Sequence, residues 1–180
     1  APGANTTVGF TAPTSFDPGE YSYGISAADE TQQQVTVVDG EFKTAVSTGD
    51  PHLVTFDGVA YDYMAAGEYT LVRELTGPLE IQARQEPVDR SNSVTINTAL
   101  ATTVDGESVV IDVTDSTPVQ INSTPTEISD GEALAVGNGT IKRTGNSYAI
   151  VYPGDDDEPD PTDERVIVDG FGNRIDIEVR

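Results

Sequence analysis

The residues with the clearest chemical potential in this chain are Asp50, Pro51 and His52, which follow one another directly. A protonated Asp50 carboxyl can attack its own main-chain carbonyl and form a cyclic anhydride. The nitrogen of Pro51 belongs to a tertiary amide, so its protonation and departure are easier than for ordinary amides. His52 could deliver that proton, and backbone strain at the proline would assist the step. The alternative is structural: Pro51 opens a strand and Asp50 caps backbone N–H groups.

His52 does not complete any other recognisable catalytic centre. It is the one histidine among 180 residues, and the chain has no cysteine. A zinc site built on two histidines or on thiolates is therefore excluded, and no serine–histidine motif is present. We expect no enzyme in the usual sense, and at most a single-turnover self-cleavage at Asp50-Pro51.

The charge balance narrows the classes of partner. There are 31 acidic and nine basic residues, which gives a net charge of −22. Such a chain repels nucleic acid and anionic lipid, and it has no apolar run long enough to span a membrane. We therefore predict no nucleic-acid partner and no membrane insertion. The acidic composition with few lysines fits a halophilic protein from a saline environment or an ordinary acidic extracellular protein, and both readings stay open.

The hydrophobic pattern predicts an all-β protein. Short runs alternate apolar and polar residues, as in Arg174–Arg180, and turn signals such as Asp57-Gly58, Asp105-Gly106 and Asp169-Gly170 separate them. No window has helical periodicity. The spacing of these strands favours an antiparallel β-sandwich.

Four motifs within 23 residues resemble the opening strands of a von Willebrand factor type D domain. They are Gly49–His52, Thr55–Gly58, Tyr61–Tyr63 and Gly67–Leu71. The resemblance implies a type D β-sandwich over residues 44–180, truncated at its C-terminal end. Eukaryotic members of this family are rich in disulfides, so the absence of cysteine points to a bacterial or archaeal version. Residues 1–43 resemble the C-terminal strands of an immunoglobulin-like sandwich.

The resemblance also implies roles for individual residues. Some type D domains with a Gly-Asp-Pro-His motif cleave themselves between Asp and Pro, which maps onto Asp50-Pro51. The aspartate of the Phe-Asp-Gly step is a calcium ligand in the family, which maps onto Asp57. The alternative for Asp57 is a purely local role in a hairpin turn. The acidic segment 155–160 is a second candidate for cation binding, with a solvated insertion as the favoured alternative.

Three Asn-x-Ser/Thr sequons occur, and they would matter only in a host that glycosylates the protein. They begin at Asn5, Asn122 and Asn138.

These observations predict a non-enzymatic structural or adhesion module of a secreted or cell-surface protein, stabilised by calcium. One alternative is a subunit of an extracellular filament, completed by strand exchange. It rests on residues 1–43, which carry too few strands for a core, and on the last strand, whose edge needs partners. The other alternative is a self-cleaving domain. The expected partners are other protein chains, further domains of the same chain, or copies of itself in a homo-oligomer.

Overall fold

The structure is a computed structural model and describes residues 7–8, 19–26, 32–37, 43–74, 77–88, 91, 93–153 and 164–180. It divides into two units: Ala1–Phe42 with Glu74–Pro78, and Lys43–Arg73 with Leu79–Arg180. The described residues form strands and turns, and none of them belongs to a helix that could span a membrane. The prediction of an all-β protein is therefore confirmed.

The first unit contains a three-stranded antiparallel sheet in chain order. Its strands are β1 (Thr7–Val8), β2 (Gly19–Ser26) and β3 (Gln32–Val37). Residues Glu20 to Gly24 of β2 pair with Thr36 to Gln32 of β3. The assignment of this unit to an immunoglobulin-like domain stays a prediction.

The second unit is a sandwich of two antiparallel sheets. The eight-stranded sheet has the order β13-β14-β15-β16-β17-β4-β5-β6, and the six-stranded sheet has the order β12-β11-β10-β9-β8-β7. The strands of the larger sheet are β4 (Ala45–Thr48), β5 (His52–Val54), β6 (Ala60–Asp62), β13 (Ala133–Val136), β14 (Gly139–Thr144), β15 (Ser147–Val151), β16 (Arg165–Phe171) and β17 (Arg174–Val179). Those of the smaller sheet are β7 (Gly67–Arg73), β8 (Glu80–Pro87), β9 (Thr95–Val104), β10 (Glu107–Asp112), β11 (Val119–Ile121) and β12 (Thr124–Pro125).

The apolar faces of the two sheets meet in one hydrophobic core. The six-stranded sheet contributes residues such as Ile81, Leu100 and Ile111, and the eight-stranded sheet contributes residues such as Ile150 and Ile177. All five are between 0% and 1% exposed. Burying one such side chain stabilises the fold by about 1.5–3 kcal/mol. The apolar residues that alternate with polar ones in the sequence thus form the inward face of each strand.

The last strand does not present an open edge. β17 lies inside the eight-stranded sheet, where it pairs with β16 on one side and with β4 on the other. Ile175, Ile177 and Val179 are buried in the core. The expectation that the edge of this strand lacks partners is therefore wrong, because β4 returns from much earlier in the chain to pair with it. In the described sandwich the edge strands are β13, β6, β12 and β7.

Of two predicted turns, one is confirmed in the structure and the other is wrong. Asp105-Gly106 forms the expected two-residue turn, with φ of 47° and 81°, and joins β9 to β10. Asp169-Gly170 instead lies within β16 and pairs with Asp176 and Ile175, while Gly172 begins the real turn with φ of 70°. Gly170 is needed there because an added Cβ would come within 2.8 Å of the Asn146 carbonyl oxygen.

A β-bulge in β9 turns a polar side chain into the interior. The register shifts between Arg84 and Gln85 of β8, which pair with Ala99 and Asn97, so Thr98 is the extra residue. Because of this insertion, Leu100 joins the hydrophobic core and Asn97 reaches Ser47 on the opposite sheet. This end of the sandwich is consequently polar inside.

Candidate functional site

The Asp50-Pro51 bond lies in the turn that joins β4 to β5. Thr48 and His52 form the last register pair before this turn, so Gly49, Asp50 and Pro51 make the loop. Gly49 has φ of 68°, a left-handed conformation that glycine adopts without steric cost. Its N–H donates a 2.8 Å hydrogen bond to Oδ1 of Asp176 on β17. A carboxylate 127 residues away in sequence therefore fixes the start of the loop.

His52 lies between two carboxylates. Its Nε2 is 3.1 Å from Oδ1 of Asp50, and its Nδ1 is 2.6 Å from Oδ1 of Asp62. The hydrogen bond with Asp62, together with the negative charges of Asp50 and Asp62, raises the pKa of His52 above 6.5. The imidazole is 54% exposed, so water reaches the site. The two carboxylates therefore favour the protonated form of His52.

The backbone after the turn is held by residues 63–66, the segment that connects β6 to β7 in the other sheet. Pro51 is buried, and its carbonyl oxygen accepts a 3.1 Å hydrogen bond from the N–H of Tyr63. With its side-chain NH2 directed at this segment, Gln85 donates to the carbonyl oxygens of Tyr63 at 3.0 Å and Ala65 at 2.9 Å. Gln85 is itself 2% exposed, so these bonds form out of contact with water.

Asn97 ties the strand before the turn to the six-stranded sheet. Its Nδ2 donates to Oγ of Ser47 at 2.9 Å and to the Ser47 carbonyl oxygen at 3.3 Å. Both residues are buried. The turn is thus supported through Asp176, Tyr63 and Asn97, which come from three separate parts of the chain. Such support restricts the conformations that the Asp50-Pro51 bond can adopt.

This arrangement brings together the groups that anhydride formation at Asp50 would need. Asp50 supplies a carboxylate next to its own carbonyl, and His52 places Nε2, which donates when it is protonated and accepts when it is not, against that carboxylate. Sequence reasoning found Asp50, Pro51 and His52 but missed Asp62, Asp176, Gln85 and Asn97. The hairpin signal at Asp57-Gly58 brings the right strand beside His52, but a two-residue turn there would place Tyr63 opposite His52, and only the five-residue loop Thr55–Val59 places Asp62 there. The sequence carries no signal for the other three.

Asp57 lies in the loop between β5 and β6. Thr55 Oγ1 donates a hydrogen bond to its Oδ1, and this bond is the largest cause of a lowered Asp57 pKa. Gly58, with φ of 83°, donates its N–H to the Thr55 carbonyl oxygen. Within the described ranges, no three His, Cys, Asp or Glu side chains lie close enough together to hold a metal ion. A calcium site at Asp57 therefore stays a prediction.

The remaining predicted sites have different outcomes. Segment 155–160 and Asn5 lie outside the described residues. Asn122 is exposed in a turn with φ of 50°, and its Oδ1 accepts a bond from the Ser108 N–H. Asn138 is also exposed, and its N–H donates to Asp105. Glycosylation at these positions stays a prediction.

Comparison with known proteins agrees with this architecture. The model of the von Willebrand factor type D domain matches residues 45–159. The chain is 30% identical over 105 residues to SCO-spondin of Gallus gallus, covering 57% of this chain and 2% of the relative. It is 38% identical over 74 residues to Sushi domain-containing protein 2 of Homo sapiens, covering 39% and 9%. SCO-spondin of Bos taurus is 33% identical over 93 residues, covering 50% and 2%.

The chain thus spans only a small part of the curated relatives it matches, at most 9% of their length. The family model, by contrast, covers well over half of this chain, including the turn with Asp50-Pro51, Asp57 and the strands up to β15. This match and the two-sheet architecture lead to one conclusion: the chain belongs to the von Willebrand factor type D domain family.

Proposed function

We propose that this chain is a non-enzymatic structural or adhesion module of an extracellular or cell-surface protein. The observation that carries the proposal is the type D match over residues 45–159. The matched relatives are far longer than this chain, which supports a role as one module of a larger protein. The strongly acidic surface, with a net charge of −22, supports contact with protein partners or cations in preference to nucleic acid.

Protease treatment of intact producing cells, followed by detection with an antibody against this chain, tests the location. We expect the chain to be digested while a cytoplasmic marker survives. Full protection that is lost only when the cells are lysed would refute an extracellular location.

Assembly with other chains is the first alternative, and the edge strand β6 favours it. β6 ends the eight-stranded sheet, and Val59, Tyr61 and Tyr63 in and beside it are 42–55% exposed. An edge with unpaired backbone groups and apolar side chains can accept a strand from a neighbour. Light scattering at increasing protein and calcium concentrations tests this alternative. Tyr61→Lys should reduce any association, and a monomer under all conditions would refute it.

Self-cleavage at Asp50-Pro51 is the second alternative, and the 3.1 Å contact between Asp50 and His52 favours it. One proton is held between Oδ1 of Asp50 and Nε2 of His52. In the first step a carboxylate oxygen of Asp50 forms a bond to the Asp50 main-chain carbon, and the bond from that carbon to the Pro51 nitrogen breaks. The shared proton ends on the Pro51 nitrogen, which becomes a secondary amine. Water then opens the cyclic anhydride and leaves two carboxyl groups on Asp50.

Cleavage would not separate the two fragments under native conditions. β4 precedes the bond and stays between β17 and β5, both of which follow it. The product must therefore be detected by mass spectrometry after denaturation. We expect fragments 1–50 and 51–180 to form faster as the pH falls from neutral, and Asp50→Asn and Pro51→Ala to suppress them.

The chain contains its own controls for non-specific acid hydrolysis. Asp17-Pro18 and Asp160-Pro161 are Asp-Pro bonds without a following histidine. Self-cleavage predicts a cut at Asp50-Pro51 alone. Equal cutting at all three bonds, or an intact chain after prolonged incubation at mildly acidic pH, would refute it.

A further inference from the structure

We propose that Asp62 is a positioning residue for His52: its carboxylate orients the imidazole towards Asp50 and so sets the pH range in which the Asp50-Pro51 bond is cut. The inference rests on the proposed self-cleavage for its consequence, but its central claim about His52 can be measured separately. It assigns a role to Asp62, a residue with no chemical signal in the sequence.

The hydrogen-bond chemistry of Asp62 fixes the protonation pattern of the ring. An ionised carboxylate only accepts hydrogen bonds, so the 2.6 Å contact requires a hydrogen on Nδ1 of His52. In the neutral ring, Nε2 must then be the unprotonated nitrogen, and it faces Asp50 at 3.1 Å. In the charged ring, Nε2 carries a hydrogen and donates it to Asp50. Either way, Asp62 makes Nε2 the atom that exchanges a proton with Asp50.

The β5–β6 hairpin holds Asp62 in place. His52 and Asp62 are register partners, followed by Leu53 with Tyr61 and Val54 with Ala60. The Thr55 N–H donates to the Val59 carbonyl oxygen at 3.0 Å, which closes the loop and fixes this register. Because Asp62 lies on the strand beside His52, and Asp50 lies on the turn, the two carboxylates act from different elements. Removing one should leave the other in position.

Among the residues that the structure describes, few charged groups face the imidazole. Asp50 approaches from the turn and Asp62 from β6, and both raise the pKa of His52, with the Asp62 hydrogen bond as the largest cause. On β4 the register partner of His52 is Thr48, which does not titrate. On β17, Asp176 binds the Gly49 N–H. Asp62 is therefore the main group that keeps His52 protonated as the pH rises.

The contribution of Asp62 to the raised pKa of His52 predicts how the loss of Asp62 changes the pH dependence of cleavage. If His52 supplies the proton, the rate falls as the pH rises through the raised pKa of His52. Without Asp62 that fall should begin at lower pH. Each unit by which the pKa drops should lower the rate about tenfold on the alkaline side.

The test is a pH titration of the ring protons of His52 by NMR, which is free of overlap because the chain has one histidine. We expect the titration midpoint to fall in Asp62→Asn and Asp62→Ala relative to the wild type. Glu127→Gln, which removes an exposed charge on a different loop, should leave it unchanged. Long-range ¹H–¹⁵N spectra should show the hydrogen of neutral His52 on Nδ1 in the wild type, and a mixed population in Asp62→Asn. Repeating the comparison in Asp50→Asn keeps the chain intact.

The outcomes separate the two proposals. An unchanged midpoint and tautomer in both Asp62 variants would overturn the role of Asp62, even if the chain cleaves itself. A lowered midpoint in a chain that never cleaves would support the positioning of His52 by Asp62 and refute self-cleavage. A lowered midpoint with a matching shift of the cleavage profile to lower pH is the result we expect.

Discussion

The hydrogen bond between Asn97 and Ser47 can be tested as a link between the two sheets beneath the Asp50-Pro51 turn. Asn97 is 0% exposed and Ser47 is 2% exposed, so these two residues form hydrogen bonds with each other and not with water. Asn97→Ala removes the bonds to Oγ and to the carbonyl oxygen of Ser47, at 2.9 Å and 3.3 Å. A buried hydrogen bond contributes about 0.5–1.5 kcal/mol, and an orphaned buried group costs about 1–3 kcal/mol.

The unpaired side-chain oxygen of Asn97 reduces the stability that Asn97→Ala is expected to lose. Oδ1 of Asn97 is buried without a hydrogen-bond partner among the described residues, so the wild type already carries the cost of one unsatisfied acceptor. Removing that acceptor recovers about 1 kcal/mol of the loss. We therefore expect Asn97→Ala to lower the free energy of unfolding by about 2 kcal/mol. With a urea dependence of about 2 kcal/mol per M, the unfolding midpoint should fall by about 1 M.

A double-mutant cycle isolates the interaction. Urea unfolding of the wild type, Asn97→Ala, Ser47→Ala and the double variant, followed by far-UV circular dichroism, should give a coupling energy of about 1 kcal/mol. That value belongs to the Nδ2–Oγ bond alone, because Ser47→Ala keeps the backbone carbonyl. Thr103→Ala, on the exposed face of the same strand, should change stability by less than about 0.5 kcal/mol. A coupling energy of zero would refute the link between the sheets.

Three further predictions follow from side-chain geometry. Asp57→Ala should weaken calcium binding measured by calorimetry, and should reduce any rise in melting temperature on adding calcium; unchanged affinity would move the site elsewhere. Arg84→Gln should lower the free energy of unfolding in urea by about 1–2 kcal/mol, because the carboxylate of Asp112, which is 9% exposed, loses its ion pair at 2.8 Å. Arg73→Gln, which removes the more exposed ion pair with Glu80, should lower it by less than about 0.5 kcal/mol. Because the pKa of His52 is raised, its charge stabilises the fold below pH 6.5, and this contribution is lost as the pH rises through the raised value. The stability difference between the wild type and His52→Asn should therefore be larger at pH 5.5 than at pH 9, and an equal difference at both would contradict the ion pairs.

The fold class and the local chemistry of the turn follow from the sequence alone. Alternating apolar residues such as Ile175 and Ile177 need a core on one side, so the period of two was enough to identify strands. Asp105-Gly106 adopts two successive positive φ angles, which few residue pairs tolerate, and its turn was predicted correctly. The proximity of Asp50, Pro51 and His52 is a matter of covalent order, so it needed no tertiary information.

The surroundings of that turn, in contrast, depend on tertiary contacts. Asp176 reaches Gly49 because β17 and β4 pair across more than 120 residues, and local patterns carry no information about which distant strands are neighbours. Asn97 points inward because one inserted residue in β9 reverses the alternation there, and a bulge is a property of the register between two strands. Asp169-Gly170 has the composition of a turn, yet lies within β16 because a backbone contact with Asn146 requires a glycine at that place. Pairing, register and close approach are collective properties of the folded chain, and they set the environment in which the local chemistry of Asp50 and His52 operates.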